Sequence, residues 1–156
     1  MFEGLSYAGR LGLLWVVLAL AFGAVYRRWG TLWLTLIAVA LADWTAMGIK
    51  ALVDRERPSM EYADPKTLVP LPHDASFPSG HASTSFAAAT MLSFAFPRLA
   101  PALFVLAAAV AFSRVYVGVH YPLDVIGGAA LGILLATALR LLVTGRLRLR
   151  QELRAG

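Results

Sequence analysis

Three short segments of this chain combine fixed positive charges with histidine, the residue types that can bind and transfer a phosphate group. The segments run from Lys50 to Pro58, from Pro78 to His81 and from Ser113 to Asp124. Arginine forks onto phosphate oxygens and lysine acts as a point charge, so such cations can hold an anion while a histidine acts on it. Together the segments predict one phosphate-handling site.

The first segment places two cations at the end of an apolar run. Lys50 and Arg57 stand seven residues apart, about two turns if the helix continues, which would direct both toward one pocket. Pro58 stops a helix and sets the direction in which the chain leaves it. Taken alone, the segment is better explained by interfacial cations among Asp54, Arg55 and Glu56 that form surface salt bridges.

The second segment precedes an apolar helix. Ser79 suits an N-cap, and glycine at position 80 lets backbone N–H groups approach a ligand closely. The start of a helix is a natural anion site, and His81 stands at its mouth. A helix cap with an incidental histidine explains this tetrapeptide equally well.

The third segment pairs a histidine with a carboxylate. His120 follows Arg114 by six residues, and Asp124 lies four residues further, within reach if that turn is helical. A carboxylate that holds one ring nitrogen fixes the tautomer and leaves the other nitrogen as nucleophile or base. An interfacial histidine with a capping aspartate is the alternative, but it does not explain the neighbouring arginine.

The composition is that of a membrane protein. The 156 residues suffice for one domain, residues 1–156, and 59% of them are hydrophobic, above the usual half for a soluble domain. There is no cysteine, which excludes disulfides and thiolate metal sites. The arginines adjoin apolar spans without the aromatic interleaving of nucleic-acid sites, so no nucleic-acid partner is expected.

The apolar residues form five blocks, each long enough or nearly long enough for a transmembrane helix of about 20 residues. We therefore predict an all-α, integral membrane helical bundle. Between the second and third blocks, the polar stretch Ser59–Phe77 is predicted to be a surface loop. The blocks are Leu11–Tyr26, Thr31–Val53, Ala82–Phe96, Leu99–Val117 and Leu123–Val143.

Five spans place all three segments on one side of the membrane. The opposite side receives a run of arginines against a single acid, Glu152, and positive loops mark the cytoplasmic face. The three segments and the N-terminus are therefore predicted to lie outside the cytoplasm. The alternative is a signal peptide cleaved after Ala19-Leu20-Ala21. Cleavage there would place the positive loops outside the cytoplasm, and the acidic residue Glu3 is not typical of the positively charged start of a signal peptide.

Together, the three segments resemble the signature of the type 2 phosphatidic acid phosphatase family of membrane lipid phosphatases. That signature is Lys-x6-Arg-Pro, Pro-Ser-Gly-His and Ser-Arg-x5-His-x3-Asp, and every fixed position is present in order and at the right spacing. The match extends from Lys50 to Asp124. The family usually has six spans, so five imply that the N-terminal region is shortened or that its first ten residues form an interfacial helix.

The resemblance implies a role for each matched residue. His120 attacks phosphorus and forms a phosphohistidine, and Asp124 orients and charge-stabilises it. His81 protonates the leaving oxygen and then activates water. Preorganised positive groups stabilise the charge on the phosphate oxygens, and covalent catalysis divides the reaction. The groups that hold those oxygens are Lys50, Arg57, Ser79, Gly80 and Arg114.

The function implied by the resemblance is metal-independent hydrolysis of a lipid phosphate on the outer face of a prokaryotic plasma membrane. No cofactor or metal is expected, because most residues of the segments are cationic and no acid cluster accompanies them. The expected substrates are polyprenyl (undecaprenyl) diphosphate, phosphatidic acid or phosphatidylglycerol phosphate, and the alternative is a prenyl-phosphosugar.

Two other classes are weighed against this one. Vanadium haloperoxidases share the constellation but are large soluble proteins, which the apolar spans argue against. A non-catalytic protein that binds or transports lipid phosphate would be marked by an altered His81, His120 or Asp124, and all three are intact.

Five other polar or aromatic residues have weaker interpretations. Asp43 lies inside the second span on the Lys50 face, about 10 Å from it, and a structural role is favoured over chemistry. The interpretation favoured for the rest is solvated loop residues or interfacial aromatic anchors, and the alternatives are substrate contact for the two loop residues and a place at the mouth of the pocket for the two tyrosines. They are His73, Asp74, Tyr116 and Tyr121.

Overall fold

The computed structural model describes residues 13–61 and 74–155, and these residues are almost entirely helical. This confirms the predicted all-α class. The first ten residues, for which an interfacial helix was one expectation, and His73 lie outside the described residues. The helices are α1 (Leu13–Tyr26), α2 (Trp29–Val53), α3 (Pro58–Glu61), α4 (Gly80–Ala95), α5 (Ala100–Tyr116) and α6 (Pro122–Ala155), with a 3-10 turn at Pro97–Leu99 before α5.

Left-handed residues end the first two helices. Arg27 (φ 51°) separates α1 from α2, and Asp54 (φ 44°) ends α2, where its N–H bonds the Lys50 carbonyl. The helix therefore ends before Arg57. The condition under which Lys50 and Arg57 would lie two helical turns apart is not met. At the other end of the chain, α6 continues well past Val143, where the fifth span was predicted to end, and reaches Ala155.

Three described helical segments are long and apolar enough to cross a membrane: Trp29–Val53, Pro97–Tyr116 and Pro122–Arg146. The chain is therefore a multi-pass membrane protein. The apolar helix Leu14–Tyr26 is shorter, and α4 has 16 residues, about 24 Å at 1.5 Å per residue. Both are shorter than the roughly 30 Å hydrocarbon core of a bilayer.

Helix α4 lies at the centre of the bundle, packed against α1, α2, α5 and α6. Most of its side chains are buried, and they are mainly Ala, Ser and Thr, which allow neighbouring helices to approach closely. Its hydroxyl groups are shielded from lipid by the surrounding helices. One of them, Ser85 Oγ, accepts a 2.8 Å hydrogen bond from Nε1 of the buried Trp15 in α1.

Glycines of α6 set the distance between α6 and α4. A Cβ on Gly128 would lie 2.5 Å from the Ser79 carbonyl oxygen, and one on Gly132 would lie 2.2 Å from that of Ser83. Only a residue without a side chain fits at such separations. The close packing holds the start of α4 against the first turns of α6, where the second and third sequence segments meet.

Of the predicted surface loop Ser59–Phe77, residues 62–73 lie outside the described residues and residues 59–61 belong to α3. At its C-terminal end the prediction is wrong. Ser76 is fully buried, and its N–H donates a 2.8 Å hydrogen bond to the carbonyl of Arg55. The chain therefore returns to the end of α2 before it enters α4. This backbone bond joins the first sequence segment to the residues that precede the second.

Candidate active site

Helix ends and the links between them bring the three sequence segments together. Lys50 lies in the last turn of α2, and His120 lies in the link between α5 and α6. The Ser79 N–H donates a 2.9 Å hydrogen bond to the carbonyl of Asp124, which fixes the start of α4 against the start of α6. The Val119 N–H bonds the carbonyl of Arg114 at 3.3 Å and returns the chain toward the end of α5.

The predicted pairing of His120 with Asp124 is present. Nδ1 of His120 lies 3.5 Å from Oδ2 of Asp124, and both side chains are almost completely buried. The other ring nitrogen, Nε2, lies 3.4 Å from Nη1 of Arg57. The ring is therefore oriented with Nδ1 toward the carboxylate and Nε2 toward the cations.

Three further groups donate to the Asp124 carboxylate. The Ser76 hydroxyl and the Tyr121 N–H donate to Oδ2 at 2.5 and 2.8 Å. Arg55 Nη1 donates to Oδ1 at 2.9 Å, and the Arg55 guanidinium lies 4.2 Å from the centre of the Tyr121 ring. A buried carboxylate is stable as an anion only when its oxygens accept such hydrogen bonds.

Lys50 and Arg57 converge beside His120, and both are buried. Arg57 Nη1 donates to the Val119 carbonyl at 2.7 Å, which holds the guanidinium against the residue before His120. The Asp74 carboxylate joins the two cations: its oxygens lie 3.0 Å from Lys50 Nζ and 2.9 Å from Arg57 Nη2. Lys50 also donates to the carbonyl of Ala75.

Ser79 occupies the predicted N-cap position of α4 but does not form the predicted side-chain cap. Its hydroxyl makes no cap hydrogen bond, and among the described residues Oγ has no hydrogen-bond partner although Ser79 is fully buried. A buried polar atom without a partner carries a desolvation cost that a ligand can remove. Asp43 approaches the next residue, since its Oδ1 lies 3.8 Å from the position of a Cβ on Gly80.

His81 and Arg114 are half-buried and belong to the ends of the helices that meet here. His81 is the second residue of α4, and Arg114 lies in the last turn of α5. The Arg114 Nε donates a 3.0 Å hydrogen bond to its neighbour Ser113. The bond between Ser79 and Asp124 places the start of α4, and thus His81, on the same side of the bundle as His120.

The environment of His120 favours its neutral form. Burial lowers the pKa of the imidazole, and the charges of Arg57 and Lys50 lower the pKa further. The hydrogen bond and negative charge of Asp124 act in the opposite direction and raise the pKa, but they do not overcome the other effects. A histidine that is neutral at pH 7 keeps a lone pair on one ring nitrogen, as a nucleophile requires.

Residues of this site that the sequence did not indicate surround the predicted ones. Ser76 and Asp74 were assigned to a surface loop, Arg55 to a surface salt bridge, and Tyr121 to an interfacial anchor. The contacts above place all four against Asp124 or the two buried cations. The one feature of the sequence that could have indicated them is that they stand close to predicted site residues. Exposed loop residues stand equally close, so this feature does not distinguish them.

The arrangement is suited to phosphoryl transfer. It combines clustered cations, a neutral and oriented imidazole and a helix start with an unsatisfied hydroxyl, which are groups that bind an anion and attack it. Among residues 13–61 and 74–155, no group of three or more His, Asp or Glu side chains is placed to bind a metal ion.

Comparisons with known proteins agree with this chemistry. The profile of the PAP2 superfamily matches residues 12–148. A decaprenylphosphoryl-5-phosphoribose phosphatase of Mycobacterium tuberculosis is 37% identical over 151 residues, which cover 96% of this chain and 83% of the relative. The undecaprenyl-diphosphatase BcrC of Bacillus subtilis is 32% identical over 96 residues, 56% of this chain and 50% of the relative.

A solved structure extends the agreement to the fold. The crystal structure of Aquifex aeolicus LpxE superimposes with a TM-score of 0.74 and 30% sequence identity, over 88% of this chain and 82% of that protein. The superfamily match covers all three sequence segments and, apart from the last residues of α6, every helix that positions them. This chain therefore belongs to the PAP2 superfamily, as a membrane-spanning phosphatase.

Proposed function

We propose that this protein removes a phosphate group from a polyprenyl-linked membrane lipid through a phosphohistidine at His120. The observation that carries the proposal is the setting of the His120 ring. Nδ1 faces the Asp124 carboxylate at 3.5 Å, and Nε2 lies 3.4 Å from the Arg57 guanidinium, where a phosphate would be held. Burial and the nearby cations keep the imidazole neutral by lowering its pKa.

In the first half of the reaction, His120 Nε2 attacks phosphorus and the bond between phosphorus and the lipid oxygen breaks. His81 donates a proton to the departing oxygen, so the lipid leaves as a neutral alcohol, or as a monophosphate if the substrate is a diphosphate. Lys50, Arg57 and Arg114 stabilise the charge that develops on the other phosphate oxygens, with Ser79 Oγ and the Gly80 N–H as further donors.

In the second half, water attacks the phosphohistidine. His81, now without its proton, takes one from the water, and the bond between phosphorus and Nε2 breaks. Inorganic phosphate leaves, and both histidines return to their starting protonation states. The Asp124 carboxylate stabilises the proton on Nδ1 throughout. The positive side chains supply the charge that a metal ion supplies in other phosphatases, so we expect activity without a metal.

Two substrates are favoured by specific observations. The relative from M. tuberculosis, which covers almost the whole chain, is named for a prenyl phosphosugar, so we place a polyprenylphosphoryl phosphosugar first. A polyprenyl diphosphate is second, because BcrC is named as an undecaprenyl-diphosphatase and matches a shorter part of the chain. Phosphatidic acid and phosphatidylglycerol phosphate complete the set that the sequence indicates.

The deciding experiment is phosphate release by the purified protein in detergent. A panel of decaprenylphosphoryl-5-phosphoribose, undecaprenyl diphosphate, phosphatidic acid and phosphatidylglycerol phosphate is tested with and without EDTA. We expect release from a polyprenyl substrate in both conditions and inhibition by vanadate, which mimics the transition state. No release from any lipid would refute the proposal, and loss of activity in EDTA restored by Mg²⁺ would refute metal independence.

We further propose that five helices cross the membrane and that the site faces out of the cytoplasm. The charge of the loops supports this orientation, because the arginines outside the site lie mainly on the opposite side. The natural chain has no cysteine, so single cysteines report position. Met60→Cys in exposed α3 should react with an impermeant reagent in intact cells, whereas Arg98→Cys should react only after lysis. The reverse pattern contradicts the orientation.

A further inference from the structure

Asp74 links the two buried cations of the site. Each of its two carboxylate oxygens contacts one cation: Oδ1 lies 2.9 Å from Arg57 Nη2, and Oδ2 lies 3.0 Å from Lys50 Nζ. The cations are nearly inaccessible, with 9% and 3% of their side chains exposed, whereas 39% of the Asp74 side chain is exposed. The carboxylate thus covers the cations from the solvent side and holds them as two oxygens of a phosphate would.

The donors of Arg57 show what a phosphate must displace. A guanidinium has five N–H groups. The Nε group donates to the Asp74 carbonyl, Nη1 to the Val119 carbonyl, and Nη2 to the Asp74 carboxylate and, at 3.4 Å, to the Ala75 carbonyl. At least four of the five are therefore already engaged. A phosphate gains a pair of donors from Arg57 only if an existing acceptor leaves.

The Asp74 carboxylate is the acceptor best placed to leave. The three carbonyls belong to the backbone, and the Val119 carbonyl precedes His120, so moving it would move the histidine. The Asp74 carboxylate, by contrast, belongs to a partly exposed side chain, which can leave without a movement of the backbone. Its departure exposes donors of Arg57 and Lys50 together, because one carboxylate serves both.

We propose that Asp74 is a specificity-determining residue whose carboxylate competes with phosphate for Lys50 and Arg57. This inference rests on the proposed function, in which these two side chains hold the phosphate of the substrate. A site that opens only part of the time binds its ligand more weakly, in proportion to the open fraction. Asp74 therefore lowers the affinity of the pocket for any phosphate that lacks additional contacts.

The consequence is discrimination between a lipid phosphate and inorganic phosphate. A lipid substrate gains further binding energy from its apolar chain, whereas the product has only its charge with which to displace the carboxylate. Return of Asp74 to the cations then favours release of inorganic phosphate. The protein would remain active at phosphate concentrations that would otherwise fill the pocket.

The test is the affinity of the full-length protein in detergent for inorganic phosphate and for orthovanadate. Binding is measured from the ligand dependence of thermal unfolding, which needs no turnover, and from inhibition of lipid hydrolysis. We expect Asp74→Asn to bind both anions at least roughly fivefold more tightly than the wild type. That factor is the lower end of the range in which one group of a protein usually changes the affinity for a ligand. Asp74→Ala should behave in the same way.

The matched control is Asp54→Asn, an exposed aspartate that ends α2. It makes the same chemical change and the same change in net charge, and Asn tolerates its left-handed backbone. Its phosphate affinity should equal that of the wild type. Equal tightening in this control would show that net charge is responsible and would overturn the proposal.

The opposite role for Asp74 predicts the opposite sign. If the carboxylate orients Lys50 and Arg57 for the substrate, Asp74→Asn binds phosphate more weakly, which overturns the proposal while lipid hydrolysis by the wild type leaves the proposed function intact. Failure of both Asp74→Asn and Asp74→Ala to fold would also overturn it, because the ion pairs would then be structural. Phosphate binding that is no tighter in Asp74→Asn and Asp74→Ala than in the wild type would overturn this proposal, whereas absence of lipid hydrolysis by the wild type would overturn the proposed function.

Discussion

The Ser76 hydroxyl donates a 2.5 Å hydrogen bond to Oδ2 of Asp124, the oxygen that also lies 3.5 Å from Nδ1 of His120. The same hydroxyl lies 3.5 Å from Nδ1 itself. Ser76 is fully buried and has no direct path to a phosphate held on the other side of the imidazole. It therefore acts on the reaction through the orientation and charge of the carboxylate.

Ser76→Ala should lower kcat about ten- to a hundredfold and leave KM nearly unchanged. A hydrogen bond to a charged group contributes about 1.5–3 kcal/mol, and each 1.4 kcal/mol corresponds to a factor of ten in rate. The cations that bind phosphate are untouched. Steady-state kinetics check the prediction, with Ser93→Ala as control, since among the described residues the Ser93 hydroxyl bonds only the Thr90 carbonyl on the same helix. A rise in KM at constant kcat would contradict the positioning role.

Variants of the two histidines should give different results when the phosphoenzyme is trapped. His120→Ala should abolish turnover and leave no phosphoenzyme. His81→Ala should slow turnover severely yet still form a phosphoenzyme from an aryl phosphate, whose leaving group needs no proton. Because water activation is also impaired, that phosphoenzyme should persist.

Acid-labile, alkali-stable label after a rapid quench identifies the phosphohistidine. Asp124→Asn serves as a third variant, which should react slowly and still bind phosphate through Lys50 and Arg57. If His120→Ala traps label and His81→Ala does not, the roles of the two histidines are reversed.

The pKa of His120 should lie below the ordinary value of 6.5, because burial and the charges of Arg57 and Lys50 disfavour the protonated ring. The neutral form is the nucleophile, so its population rises as pH increases through that pKa and is constant above it. NMR of protein labelled with ¹³C-histidine measures the value directly, and His120→Ala assigns the signal among three histidines.

The Asp124→Asn variant tests the direction in which Asp124 shifts the pKa of His120. The hydrogen bond and charge of Asp124 raise the pKa of His120, so their loss should shift its titration to still lower pH. The acid limb of the pH–rate profile should shift in the same direction. A His120 pKa above 6.5 in the wild type, or an upward shift in the variant, would contradict this account.

Gly132→Ala should destabilise the fold. The new Cβ would lie 2.2 Å from the Ser83 carbonyl oxygen and 2.8 Å from the Ala87 nitrogen, both backbone atoms of α4. The helices must separate, at a cost of about 1–3 kcal/mol. Thermal unfolding in detergent should show a lower Tm than for Gly145→Ala, a control on the same helix that meets no atom within 4 Å. Equal midpoints would show that the helices are not in close contact there.

The residues that could be predicted from the sequence are those whose positions follow from local geometry. His120 and Asp124 stand four residues apart at a helix start, so their contact follows from one helical turn. The membrane helices follow from apolar length, and the predicted ends of the first four spans agree with the structure within a few residues. The family signature then specified which segments belong together.

The residues that could not be predicted depend on how the chain returns after residue 73. Ser76 pairs with Arg55 through a backbone bond between positions 21 apart in sequence, and nothing in the polar stretch 59–77 encodes that separation. Asp74 differs in no local way from Asp54, yet only Asp74 pairs with the buried cations described here. The second span ends at Val53 as predicted, but the course of the chain beyond it could not be predicted, because one left-handed residue, Asp54, redirects the chain without a glycine to mark it.

The arrangement of helix ends at the site has an electrostatic consequence. Helices α4 and α6 begin there, and aligned peptide dipoles give each N-terminus a partial positive charge. Helices α2 and α5 end there, and their negative ends carry Lys50 and Arg114 in the last turn. The two helix starts and the two cationic side chains therefore contribute positive potential at this end of the bundle, and the Asp124 carboxylate in the first turn of α6 offsets part of it. Part of the attraction for phosphate is built into the backbone, and it survives the replacement of any single cation.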